Sequence, residues 1–240
     1  MENIAFLIPA TTNKRPWKTP QETDLWRVLC KSLVRNNLKH KITVYVGFDG
    51  DDKVYSKRQC EVSFSTQFPQ FTIKWVAFNK TYKGKVAHIW NDLGRQAIAD
   101  GFEYLNVMGS DIDLPKQADW LDVFLKRLKQ NENKGWVAGL SPPGNTKIPT
   151  QFFIHRKHID AFGFIFPPEL HNWYCDNWLA GIYWYLEAHG KYRVWLKHYI
   201  FRNTGGAARY KIKKELWQSN IPVHEQKLSR KYSPMIEKLK

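Results

Sequence analysis

The chain has 240 residues, enough for one large α/β domain, and 43% of them are hydrophobic, enough to bury a core and to exclude a disordered or fibrous chain. Its apolar runs, such as Ile4 to Ala10 and Ala161 to Pro168, are strand-sized and far short of the roughly 20 residues that cross a bilayer, so a soluble protein is expected. Lys and Arg number 37 against 22 Asp and Glu, a net charge of +15 that favours anionic partners: nucleotides, nucleic acid, acidic glycans or a membrane surface.

Met1 is followed by Glu2 and a β-like run, without the basic and apolar regions of a secretory signal. Cys30, Cys60 and Cys175 are odd in number and widely spaced, and form no metal-binding pair. A reducing cytoplasm is the expected location.

Ile4 to Ile8 is a continuous apolar run followed by Pro9 and a polar loop, the pattern of a buried strand whose end is free to carry function. Thr19, Pro20 and Glu22 supply an N-cap, a Pro at N1 and the Glu of a capping box for a helix on Leu25, Val28, Leu29 and Leu33. Ile42 to Phe48 is a second strand, running into the acidic turn Asp49-Gly50-Asp51-Asp52, and a helix is expected from about Val54 to Phe64. Phe71 to Phe78 reads as a third strand. The basic loop holding Lys83 and Lys85 then leads into a helix on Val86, Ile89, Trp90, Leu93 and Ala97. Tyr104 to Met108 is a fourth strand, ending in Gly109-Ser110-Asp111-Ile112-Asp113, and Trp120 to Leu128 has helical spacing. This alternation argues for a mostly parallel sheet with helices on both faces and ligands outside the carboxyl ends of the strands.

The second half reads differently. Trp136 to Leu140 and Gln151 to His155 are strands separated by the Pro- and Gly-rich loop Ser141 to Pro149. A long helix starts near Asp176 and passes Leu179, Ile182, Tyr183 and Leu186 to stop at Gly190, and Tyr192 to Ile200 is a further strand. Residues 210–240 form a basic tail, with eight Lys or Arg against Glu215, Glu225 and Glu237.

Asp111 and Asp113 carry the strongest chemical signal. Residues two apart at a strand end point to one side and can offer two carboxylates to a hard divalent cation, with substrate phosphates completing its shell. The alternative is an acidic loop before Pro115. Asp49 or Asp51, after the second strand, can accept hydrogen bonds from a base or a sugar hydroxyl, or can simply form an Asp-Gly turn.

Together, the Ile8-Pro9 strand end, the acid after the second strand, the basic helix-entry loop and the strand-Asp-x-Asp resemble a glycosyltransferase of the GT-A fold, nearest the inverting family-two enzymes. The resemblance spans about Asn3 to Arg209. It implies one GT-A catalytic domain over residues 1–240: a nucleotide-sugar half at 1–115, an acceptor and catalytic half at 116–209, and the basic tail.

By that resemblance, a sugar passes from a nucleoside diphosphate, UDP favoured, to a glycan or other hydroxyl acceptor, anionic ones included. Metal dependence on Mn²⁺ or Mg²⁺ is implied, held by Asp111 and Asp113. A late histidine completing the site would be His198, whose alternative is a core position beside Val194, Leu196 and Ile200. Asp176, in Tyr174-Cys175-Asp176-Asn177-Trp178, is the implied general base, although the family's second adjacent acid is replaced by Asn177. A helix N-terminus would keep Asp176 ionised, and the competing role for it is an N-cap. Glu169 is the reserve acid. Trp173 and Tyr174 offer aromatic faces to an acceptor.

Pro9, Thr11 and Lys85, with Arg202 and Arg209 of the basic loop that also holds Asn203, Thr204, Gly205 and Gly206, complete the expected donor site. A basic nucleic-acid-binding protein would share the charge, but it leaves Asp49, Asp111, Asp113 and Asp176 unexplained. A nucleotidyltransferase would share the paired carboxylates, yet Pro9 to Asn13 lacks the glycine-rich phosphate loop.

Overall fold

A computed structural model describes residues 1–143, 145–186, 191–205 and 221–239. Strand β1 (Asn3–Ala10) is buried on both faces: Ile4, Phe6 and Ile8 enter one hydrophobic core, Ala5 and Leu7 the other. The expected helix start is present, since the Glu22 carboxylate accepts the Thr19 N–H at 3.0 Å and Pro20–Glu22 form a 3-10 turn. The body of that helix differs from the expectation. Leu25–Cys30 wind as a π-helix before α1 (Lys31–Asn36), which puts Leu25, Trp26, Leu29 and Cys30 inside and Trp26 edge-on against Phe64 and Phe68.

Strand β2 (Lys41–Asp49) follows, and α2 (Arg58–Gln67) begins four residues later than its apolar spacing suggests. The cause is Asp52, whose carboxylate accepts the Val54 and Tyr55 N–H groups at 3.0 Å each and holds this stretch as a turn. Then come β3 (Thr72–Phe78), α3 (Val86–Ala99), β4 (Tyr104–Val107), the short β5 (Ile112–Asp113) and α4 (Trp120–Gln130). Strands β6 (Trp136–Ser141) and β7 (Asn145–His155) make an antiparallel hairpin, so β7 runs well into the segment expected to be loop.

Helix α5 (Lys157–Phe162) was not legible in the pattern. Helix α6 (Cys175–Ile182) ends in a 3-10 turn over Tyr183–Tyr185, shorter than expected, and the proposed stop at Gly190 lies outside the described residues. Strands β8 (Arg193–Ile200) and β9 (Arg202–Asn203) precede α7 (Ile221–Tyr232) and a final 3-10 segment, Ser233–Leu239. The described end of the basic tail is therefore folded, with Tyr232, Ile236 and Leu239 buried in the second core.

The seven-stranded sheet has the order β3-β2-β1-β4-β7-β6-β8. Neighbours β1 and β2, β2 and β3, β1 and β4, and β6 and β8 are parallel, while β7 is antiparallel to both β4 and β6. The π-helical stretch, α2 and α4 cover one face; α3, α5, α6 and the C-terminal segment cover the other. No helix among the described residues is long and apolar enough to cross a membrane.

Candidate active site

The carboxyl ends of β1, β2 and β4 open together onto a cleft of about 320 Å³, where an open α/β sheet places its ligands. Pro9, Thr11, Asp49, Lys85, Asp111 and Trp173, all expected site residues, line it. Its floor is apolar. Trp90 lies there with its indole N–H donating to the Leu7 carbonyl at 3.1 Å, filling the gap where β1 and β4 diverge.

At the β2 end, Asp49 is buried and accepts the Thr11 hydroxyl at 3.3 Å. The neighbouring Asp52 is also buried. Besides Val54 and Tyr55 it accepts the Thr12 N–H at 2.6 Å and the Thr12 hydroxyl at 2.9 Å, pinning the loop after β1 to the turn after β2. Asp51 points away from the main cleft and pairs with Lys83 at 2.7 Å beside a smaller adjoining cavity, a contact that holds its carboxyl below the usual range.

Positive potential comes from three sources. Lys85 is the N-cap of α3, so the expected basic helix entry faces the cleft with the N-terminal end of a 14-residue helix dipole behind it. Arg15, in the loop after β1, is the third source, and nothing in its sequence context distinguishes it from its neighbours.

The Asp111 carboxylate is held in a slot. A side chain on Gly109 would meet Asp111 Oδ1 at 2.6 Å, and one on Gly205 would meet Oδ2 at 1.8 Å, so a larger residue at either position would displace the carboxylate from where it now lies. The Asp111 carbonyl also accepts the Thr204 N–H and hydroxyl at 2.9 Å each, which ties the loop after β9 to this turn.

Asp113 goes elsewhere. Its carboxylate pairs with Arg35 at 2.9 Å, and it is absent from the residues lining the cleft. His198 is exposed on β8: a bulge between Leu196 and Ile200 changes the alternation, so Val194, Leu196, Tyr199 and Phe201 face the core and the histidine does not. Among the described residues no three His, Cys, Asp or Glu side chains are grouped to hold a metal. Arg202 is exposed in β9, opposite Asp113 in the ladder, with Asn203 in the cleft instead; Arg209 lies outside the described residues.

On the far side of the cleft, Asn172 donates to the Gly84 carbonyl at 3.4 Å, and the His171 carbonyl accepts the Ala87 N–H at 3.0 Å. These contacts dock the segment before α6 onto the start of α3. Trp173 is 43% exposed at the cleft wall, and Tyr174 follows in a left-handed conformation, φ 69°.

Tyr174, not Asp176, is the N-cap of α6, so the capping role for Asp176 is excluded by position. Asp176 is partly buried and, like Tyr174, is not among the residues lining the cleft; desolvation lifts its carboxyl to about 7. This corrects the expectation that the helix N-terminus keeps it ionised: desolvation acts in the opposite direction and outweighs it. Glu169, the reserve acid, is committed to the C-terminal segment through Lys231 and the Tyr232 hydroxyl, the latter at 2.9 Å.

The structure is similar to three solved structures of S. aureus TarS. The first matches with a TM-score of 0.55 at 14% identity, covering 85% of this chain and 37% of that one. A structure of TarS 1–349 matches with a TM-score of 0.54 at 13% identity over 85% and 60%. TarS 1–349 in complex with UDP matches with a TM-score of 0.54 at 13% identity over 84% and 60%. The chain has the GT-A fold. It spans about a third to three fifths of the TarS chains it matches. No family model and no curated protein matches the sequence. The cleft of this GT-A fold was anticipated through the strand ends, and Asn203 as part of the loop expected to close over it; Arg15, Trp90, Gln151 and Asn172 in its lining were not.

Proposed function

We propose that the chain is a glycosyltransferase that moves a sugar from a nucleoside diphosphate, UDP favoured, to a hydroxyl acceptor. The observation that carries this reading is the single cleft that joins Asp49 and Thr11 at one end, Lys85 and Arg15 beside the α3 N-terminus, Asp111 on its carboxylate slot, and Trp173 on the opposite wall. A base or ribose hydroxyl can donate to Asp49. A diphosphate finds cations and a helix N-terminus where it must sit.

The GT-A fold implies a divalent cation, and the residues fit one carried in with the diphosphate. Such an ion is commonly held by one or two protein carboxylates plus phosphate oxygens, and Asp111 offers one. Asp113 would join only by exchanging Arg35. When bound, the cation would neutralise charge building on the leaving diphosphate.

Asp176 is the proposed base. With its carboxyl near 7, it is ionised in a useful fraction at neutral pH and basic enough to take a proton. The acceptor hydroxyl gives its proton to Asp176 as the oxygen attacks the anomeric carbon. The bond from that carbon to the diphosphate oxygen breaks, its electron pair leaves with UDP, and the configuration inverts. The test is transfer from a panel of UDP-sugars: wild type should release UDP in the presence of an acceptor, and Asp176→Asn should bind UDP without releasing it from the sugar. Unimpaired transfer by Asp176→Asn would remove the base assignment.

A further inference from the structure

Gln151 lies inside β7 with φ 57°, in the left-handed region. Other non-glycine residues in this region occupy turns or helix ends, such as Asn37 after α1 and Glu132 and Asn133 after α4; Gln151 is in a strand. Glutamine has no local hydrogen bond that eases this conformation, as asparagine does.

The pairing explains where the conformation comes from. Val137 is opposite Phe153 and Gly139 opposite Thr150, so two residues of β7 oppose one of β6. Gln151 falls in this bulge, at a conformation for which glycine is the usual choice. A bulge beside a site re-aims a side chain, and this one sends the Gln151 amide into the cleft. There Oε1 accepts the Gly109 N–H at 3.2 Å, at the foot of the turn that carries Asp111. With its oxygen thus engaged, the amide has fixed its orientation, and Nε2 has no hydrogen-bond partner among the described residues.

We propose that Gln151 is a donor-binding residue: its strained backbone aims the amide so that Oε1 fixes the Gly109 to Asp111 turn and Nε2 donates to an oxygen of the nucleotide-sugar in the cleft. The inference rests on the glycosyltransferase reading for the ligand, and on the bulge alone for the strain.

Titration calorimetry with UDP and with UDP-sugars, in Mn²⁺, on wild type, Gln151→Ala, Gln151→Gly and Gln151→Glu tests it, together with thermal unfolding of each without ligand. Affinity should fall about tenfold in Gln151→Ala and Gln151→Gly. Gln151→Glu keeps an acceptor for Gly109 but offers the ligand no N–H, and should fall at least as far. A loss already present with UDP assigns the contact to the nucleotide; a loss confined to UDP-sugars assigns it to the sugar. Without ligand, Gln151→Gly should melt about 2–4 °C above Gln151→Ala, because only glycine relieves the left-handed strain.

Wild-type affinity in Gln151→Ala, or a glycine variant no more stable than the alanine one, overturns the proposal while leaving the glycosyltransferase reading intact. Failure of the wild type to bind any nucleotide overturns that reading and the donor contact with it, and the melting comparison then stands as a test of the strain alone.

Discussion

Two aspartates, the buried Asp52 and the partly buried Asp176, are treated in opposite ways. Asp52, between β2 and α2, is surrounded by donors from Thr12, Val54 and Tyr55, and it locks two loops together. Asp176, at the start of α6, sits in a shell that desolvates it without supplying a compensating charge, and its proton affinity rises. The first arrangement spends a carboxylate on rigidity. The second leaves one poised, which is what proton transfer needs and what stability does not. A sequence shows both simply as an acid near a strand or helix end.

Substitutions at these two residues should separate the roles. Asp176→Asn should lower kcat by about 10² to 10⁴ and leave UDP affinity within twofold, as measured by UDP release and by calorimetry. A comparable loss of affinity would place Asp176 in the donor site instead. Asp52→Ala should do the reverse, losing about 3 kcal/mol of stability as buried donors go unsatisfied, which is about 6–12 °C in the melting midpoint. A stable Asp52→Ala protein would break the contrast.

The pH dependence sharpens it further. Asp176 has a folded value of about 7 against an ordinary 3.8, so the native state binds more protons than the unfolded chain across that interval. Its contribution therefore favours folding at low pH and is lost as pH rises towards 7 and beyond. The Asp176→Asn variant escapes that loss, so its melting midpoint relative to wild type should increase from pH 5 to pH 8. Transfer by wild type should instead rise with pH through about 7, as the base ionises. The smallest effect is expected at Glu169→Gln, which loosens the contacts to exposed Lys231 and to the hydroxyl of buried Tyr232, lowers the melting midpoint only slightly and leaves UDP binding unchanged.

Much of the parallel half was legible because β1, β2, β4 and α3 carry apolar periodicity strong enough to fix their ends, and those ends define the cleft. The bend at Asp52 was hidden, since a side chain taking backbone N–H groups delays a helix without altering its apolar spacing. Asp111 was legible as a carboxylate at a strand end. Its separation from Asp113 was not, because it depends on Arg35, distant in sequence, and on the pairing of β5 with β9. His198 was misplaced by a bulge in β8 that shifts the alternation, and Gln151 stayed invisible for a similar reason: bulges arise from pairing between strands. The raised carboxyl of Asp176 depends on tertiary burial, which local helix-end reasoning omits.

Calorimetric titration of UDP into wild type and Asp111→Ala, each with Mn²⁺ and again with EDTA, bears on the whole reading of the cleft. Wild type should bind UDP with Mn²⁺ and lose at least tenfold in affinity with EDTA, and Asp111→Ala should show the weaker affinity in both conditions. Absence of UDP binding by folded wild type with Mn²⁺, or equal binding by Asp111→Ala, would contradict the assignment of this cleft to a nucleotide-sugar.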